Sequence, residues 1–172
     1  AYLAATFNKA DLQLVDHHTY VLSGDGCMME GITSEAASLA GTLGLGKLIV
    51  FYDSNRISIE GDTDIAFRED VAARYAAYNW HVQKVADGND IEGISQAIEA
   101  AKAESEKPSL IVVSTQIGYG SPAKQGKASA HGEPLGKENL AAAKAWLELP
   151  SSEPFTVEDD VRRSFAAFAD AE

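Results

Sequence analysis

Asp25 lies between two glycines in Gly24-Asp25-Gly26, and Asn55 closes the run Asp53-Ser54-Asn55. A carboxylate and a neutral amide oxygen are hard donors that suit Mg²⁺ or Ca²⁺. Mg²⁺ takes few protein ligands and fills its shell with water and phosphate oxygens. Glycines at 24 and 26 would let the backbone turn tightly and approach a ligand closely. The segment after Gly31 is alanine-rich and helical in period. Its free N–H groups and positive dipole end favour phosphate at the same edge. Together these residue types describe a diphosphate held through a divalent cation.

For Asp25 and Asn55 to meet, each must leave the same end of a neighbouring strand. Tyr20 to Leu22 is a short apolar strand, and Gly24-Asp25-Gly26 reads as a sharp turn. A helix spans about Thr33 to Leu43, and Gly44 and Gly46 stop it. Leu48 to Tyr52 is a second apolar strand. Strand–helix–strand units give parallel neighbours with a right-handed crossover. Adjacent strands lie about 5 Å apart. Both loops then open at the carboxyl edge, where open α/β sheets bind ligands.

The rest of the chain extends the pattern. Glu69 to Tyr78 reads as a helix ended by Asn79, and Trp80 to Val85 alternates as a strand. Asp90 caps a helix from Ile91 to Glu104, with Ile91, Ile94, Ile98 and Ala101 on one face. Ser109 to Thr115 is a buried-strand run. The expected fold is α/β, a doubly wound, mostly parallel sheet with helices on both faces. Glu138 to Leu149 is a further helix, and Leu149 to Pro154 is a linker-like break. Val157 to Phe168 is a last amphipathic helix whose aromatic stripe is expected in a core. The division is therefore 1–150 for the diphosphate-binding domain and 151–172 for a linker and helix.

Two loops at the ligand edge stand out. Arg56 to Phe67 is punctuated by Gly and Asp, with Ile57 and Ile59 alternating with polar residues. Ile117 to Gly136 is long and rich in Gly, Ser, Ala and Lys, and it contains His131. Long loops in compact domains tend to be functional. By its own neighbours a lone loop histidine such as His131 is more often a surface residue without a role. Lys124 and Lys127 are read as solvated loop charges, and His81 as an exposed strand residue. His17-His18 lies before the first strand, at its end opposite the site, and the pair lacks ligand geometry. Cys27 is read as a small buried thiol, and Met28 and Met29 as packing.

The chain has 172 residues, 45% of them hydrophobic, enough for one sizeable core. Its net charge of −12 argues against nucleic-acid or anionic-membrane partners. A single cysteine permits no intrachain disulfide and fits a reducing, cytoplasmic setting.

Gly24-Asp25-Gly26 followed by Asn55 resembles the signature of thiamine-diphosphate enzymes. Glu30-Gly31, Ser34-Glu35-Ala36, Ser38-Leu39-Ala40-Gly41 and Leu45-Gly46 narrow the resemblance to the transketolase family. It continues through Glu69-Asp70-Val71, Ile117-Gly118-Tyr119-Gly120-Ser121 and His131-Gly132, over nearly the whole chain. It implies thiamine diphosphate and Mg²⁺ as cofactors, with Ca²⁺ or Mn²⁺ as substitutes. It implies Asp25, Asn55 and the Ile57 carbonyl as metal ligands. It implies cofactor contacts from Gly24, Gly26, Glu30, Ile59, Ile117 and His131, with His131 also catalytic. The implied reaction moves a two-carbon ketol unit between sugar phosphates in a homodimer. Relative to the family pattern, the chain is expected to be a fragment lacking an N-terminal part and later domains, and inactive alone. Related readings are dihydroxyacetone synthase, 1-deoxyxylulose-phosphate synthase or a 2-oxo-acid dehydrogenase subunit. A plain phosphate-binding module is disfavoured, because neither Gly-x-Gly-x-x-Gly nor a P-loop lysine motif follows the first strand.

Overall fold

Apolar runs between glycine and polar breaks become strands, and the alanine-rich runs become helices. In chain order these are α1 (Tyr2–Phe7), β1 (Thr19–Gly24), α2 (Asp25–Met29), α3 (Gly31–Thr42), β2 (Leu48–Ser54), β3 (Ile57–Ser58), β4 (Gly61–Asp62), α4 (Val71–Ala77), β5 (His81–Val85), α5 (Ile91–Ala103), β6 (Ser109–Ser114), α6 (Lys137–Trp146) and α7 (Asp159–Ala169). The structure, a computed structural model, describes residues 1–169. The last three residues of the 151–172 segment lie outside the described residues.

Four strands form one parallel sheet in the order β1-β2-β6-β5. The register sets Gly24 opposite Asp53, and Asp53 opposite Val113. Three strands therefore end at one level, and the loops that follow share one edge. The short β3 and β4 pair separately as an antiparallel hairpin.

Alternation along β2 and β6 divides the core in two. Val50, Tyr52 and Leu110 pack with Met28, Ala37, Ala40, Val71, Tyr75 and Trp80 on the side of α2, α3 and α4. Ile49, Ile111 and Val113 pack with Val85, Ala97 and Ala101 on the side of α5. Helices thus cover both faces, the doubly wound arrangement expected from the strand–helix alternation. Trp80 donates its indole N–H to the Ala37 carbonyl at 2.8 Å, which satisfies a buried donor and fixes α3 against the start of β5.

Gly41 sets how closely α3 approaches the end of α4. A Cβ there would overlap the Tyr78 carbonyl oxygen and lie 3.3 Å from Trp80 Cδ1. Because backbone cannot yield as a side-chain tip can, Gly41→Ala should destabilise the fold by about 1–3 kcal/mol. In a thermal melt this is a drop of several degrees. A melting temperature at or above that of the wild type would show that the two helices are not in tight contact.

Three expectations change. Ile91 is 75% exposed, because Ala97 and Ala101, flanked by Ile94 and Ile98, carry the burying face of α5. His81 is half-buried, with Nδ1 3.1 Å from Ser109 Oγ. Phe165 and Phe168 are exposed instead of packed in a core, and α7 buries none of its residues. Among the described residues no helix is long and apolar enough to cross a membrane.

Candidate active site

Gly24-Asp25-Gly26 is not a simple turn. Gly24 is the N-cap of α2, and Asp25 is its first residue, only 4% exposed. The carboxylate gathers donors from the end of the neighbouring strand. Oδ1 accepts a 2.6 Å hydrogen bond from the Tyr52 hydroxyl. Oδ2 accepts from the backbone N–H groups of Asn55 at 3.1 Å and Arg56 at 3.0 Å. Arg56 adopts a left-handed conformation, φ 63°. Asn55 closes an Asx turn, in which its Oδ1 accepts from the Ile57 N–H at 2.9 Å. Its amide nitrogen faces Asp53 Oδ1, which also accepts from Thr115 Oγ1. Asp53 thereby joins the ends of β2 and β6.

Every residue that the resemblance implies as a metal ligand, cofactor contact or catalytic group lines one cavity of about 860 Å³ at the carboxyl edge of the sheet. Gly24, Asp25 and Gly26 come from the end of β1, and Glu30 from the junction of α2 and α3. Asn55, Ile57 and Ile59 follow β2, and Ile117 and His131 follow β6. The volume suits a cofactor-sized ligand.

Of the two purposes expected of these glycines, the tight turn is not needed, and room for a ligand to approach the backbone remains. Gly24 has φ −107° and ψ −175°, and Gly26 is not among the residues with positive φ. Neither needs a glycine for its backbone conformation. A Cβ at either position would meet nothing within 4 Å. The space beside them is open cavity, a cradle that side chains would fill. Glu30 occupies the N-cap of α3 without capping it through its side chain, and it lines the cavity at the start of that helix.

The donor set fits a hard cation. Among the described residues Asp25 forms no ion pair with Lys, Arg or His. A buried carboxylate without a counter-charge is costly, and a bound cation would offset that cost. Among the described residues no three His, Cys, Asp or Glu side chains cluster as a metal cage. One carboxylate, one amide oxygen and one main-chain carbonyl are the sparse set that leaves Mg²⁺ its water and phosphate ligands.

His131 follows a single 3₁₀ turn, Ala128–Ala130, and is exposed at the cavity wall. The loop that carries it closes on itself through a 2.7 Å bond from the Gly126 N–H to the Ile117 carbonyl. Gly118 (φ 65°) lies against Ala130, where a Cβ would come within 2.9 Å of the alanine Cβ. Lys124 is not a solvated charge. Its side chain is 19% exposed, and its ammonium reaches the Ser129 carbonyl at 3.2 Å and Glu133 at 3.5 Å. It clasps the loop that bears His131. Cys27 is exposed at the cavity wall instead of buried, because α2 turns that side of its first turn towards the ligand edge.

Sequence reasoning did not single out Tyr52, Asp53 or Thr115. A signal existed for the first, since a tyrosine in a buried strand run needs a hydrogen-bond partner for its hydroxyl. Burial first, and then its bond to Asp25, pushes the Tyr52 phenol well above its ordinary pKa.

A parallel sheet with helices on both faces, and a buried carboxylate without a counter-charge beside glycine-lined space at its carboxyl edge, is the form of an α/β domain that binds a phosphorylated cofactor. Residues 1–171 match the family described as "Transketolase, thiamine diphosphate binding domain". The chain belongs to the transketolase family. It is 56% identical to a transketolase of Nostoc sp. over 162 residues, covering 94% of this chain and 24% of the relative. It is 54% identical to a chloroplastic transketolase of Solanum tuberosum over 162 residues, covering 94% and 22%. The transketolase structure from Leishmania mexicana superposes with a TM-score of 0.91 at 49% identity, covering 98% of this chain and 25% of that one. The chain thus spans about a quarter of the length of these relatives.

Proposed function

We propose that the chain forms the diphosphate-binding part of a transketolase, which moves a two-carbon ketol unit from a ketose phosphate to an aldose phosphate. The observation that carries this reading is the convergence of loops from three adjacent strand ends on one cavity, above the unpaired carboxylate of Asp25. Asp25, Asn55 Oδ1 and the Ile57 carbonyl would hold Mg²⁺, with Ca²⁺ or Mn²⁺ as substitutes. Gly24 and Gly26 leave room for the diphosphate, and the N-terminus of α3 supports its charge. Thiamine diphosphate, when bound, supplies the electron sink that carbon–carbon cleavage and formation require. Ile59 and Ile117 give the cavity its apolar stretch of wall. His131 would hold or move a proton at the ketol oxygen. The cation, the helix end and His131 supply the local positive character that an acidic chain of charge −12 needs for sugar phosphates. The cavity is open on the side of Ile59 and His131, both exposed, and we place a partner subunit of a homodimer there. A cytoplasmic setting accords with the single cysteine.

The test is calorimetric titration of thiamine diphosphate into the full-length gene product, with and without Mg²⁺, followed by ketol transfer to ribose 5-phosphate or formaldehyde. Metal-dependent binding and preferred transfer to ribose 5-phosphate are expected. Absence of metal-dependent binding would remove the thiamine reading. A preference for formaldehyde would move the chain to the dihydroxyacetone synthase type.

A further inference from the structure

We propose that Tyr52 is a positioning residue that aims the free lone pair of Asp25 into the cofactor cavity. The inference rests on the metal site proposed above and concerns a residue outside its ligand set. A carboxylate offers about four acceptor positions. Oδ2 spends two on the N–H groups of Asn55 and Arg56. Oδ1 spends one on the Tyr52 hydroxyl. The remaining position therefore belongs to Oδ1, the oxygen that Tyr52 holds.

The two backbone donors alone grip one oxygen and leave the carboxylate free to swing about it. The hydroxyl grips the other oxygen and stops that swing. Tyr52 can do this because its own ring is fixed. It is 5% exposed, it belongs to the core beside Val50 and Met28, and its register partner on β1 is Ser23, two residues before Asp25. Asp25 lines both the cofactor cavity and a smaller, polar one of about 440 Å³ on the side of Tyr52, Arg68 and Glu69. Without the hydroxyl the carboxylate can turn towards the second cavity, which would leave Asn55 and Ile57 without their third partner.

Outer partners of metal ligands change metal affinity by roughly 10- to 100-fold. The full-length protein and its Tyr52→Phe variant would be titrated with Mn²⁺ by electron paramagnetic resonance at saturating thiamine diphosphate, with a thermal melt of each apoprotein. Tyr52→Phe keeps the ring, so the core stays filled. The expected result is a metal Kd weakened about 10-fold, with kcat largely restored at high Mg²⁺. If the variant melts lower but binds Mn²⁺ as tightly as wild type, the hydroxyl is only structural and the proposal is overturned. If wild type binds no Mn²⁺ at all, the metal reading itself fails and takes this inference with it. A variant too unstable to assay is replaced by Tyr52→Met in the same titration, whose smaller, adaptable side chain fits the space without a hydroxyl. Wild-type affinity there also overturns the proposal.

Discussion

Replacing Asp25 with asparagine should weaken metal-dependent thiamine diphosphate binding by at least about 100-fold, beyond the range for outer-shell partners. The amide keeps the volume of the carboxylate but offers a single acceptor oxygen. Its NH₂ group would meet either the Tyr52 hydroxyl or the two N–H groups of Asn55 and Arg56. No counter-charge is lost with the carboxylate, because among the described residues it has none. The fold should therefore persist while the demand for a cation disappears. Asp25→Ala makes the complementary measurement. It strands three donors around a buried site, each costing about 1–3 kcal/mol, so its melting temperature should fall well below that of the asparagine variant. Calorimetry with and without Mg²⁺ on both variants separates ligand loss from unfolding. If Asp25→Asn retains wild-type metal dependence, Asp25 is not a ligand and the proposed site is wrong at its centre.

The second large effect is expected at His131. His131→Ala should lower kcat/KM for ketol transfer by about 10²- to 10⁴-fold, the usual contribution of a placed proton-transfer group. The residue is exposed and sits at the end of a single turn, so folding should barely change. The Kd for thiamine diphosphate should move much less than kcat/KM, because in the proposed site the cation at Asp25 would carry the diphosphate. His131→Asn, which can still donate a hydrogen bond but cannot carry a proton, should recover little of the rate. A loss of only about threefold in the alanine variant would reduce His131 to a wall residue.

Much of this site was legible in the chain itself, for physical reasons that differ by residue. β2 and β6 are apolar runs bounded by glycine, asparagine or proline and lie inside the sheet, as such runs do in parallel sheets, whereas β1 reads as the same kind of run but is an edge strand that exposes Tyr20, Val21 and Leu22. Asp25 and Asn55 were legible because each follows directly on a run of that kind. His131 was not legible from its own neighbours, and the resemblance supplied it. The start of α2 was missed because Gly-Asp-Gly suits a tight turn and a helix N-terminus equally well. Tyr52 was missed because an aromatic residue in a strand looks like plain core until its hydroxyl is given a partner. Lys124 was missed because no local pattern shows that an aliphatic stem will be covered while its ammonium finds the Ser129 carbonyl. The stripe of α7 showed amphipathicity, but periodicity does not say what lies opposite an apolar face.

The open space beside Gly24 and Gly26 places folding and ligand access in opposition at two positions. Gly26 lies within α2, where alanine would favour the helix by about 1 kcal/mol. Gly24 has a backbone that any residue adopts. Neither would meet a neighbour if it gained a side chain. Stability alone therefore supplies no reason for a glycine at either site. A library selected only for thermal resistance or soluble yield would be free to fill the cradle, and its best-folding members would be those least able to seat a diphosphate.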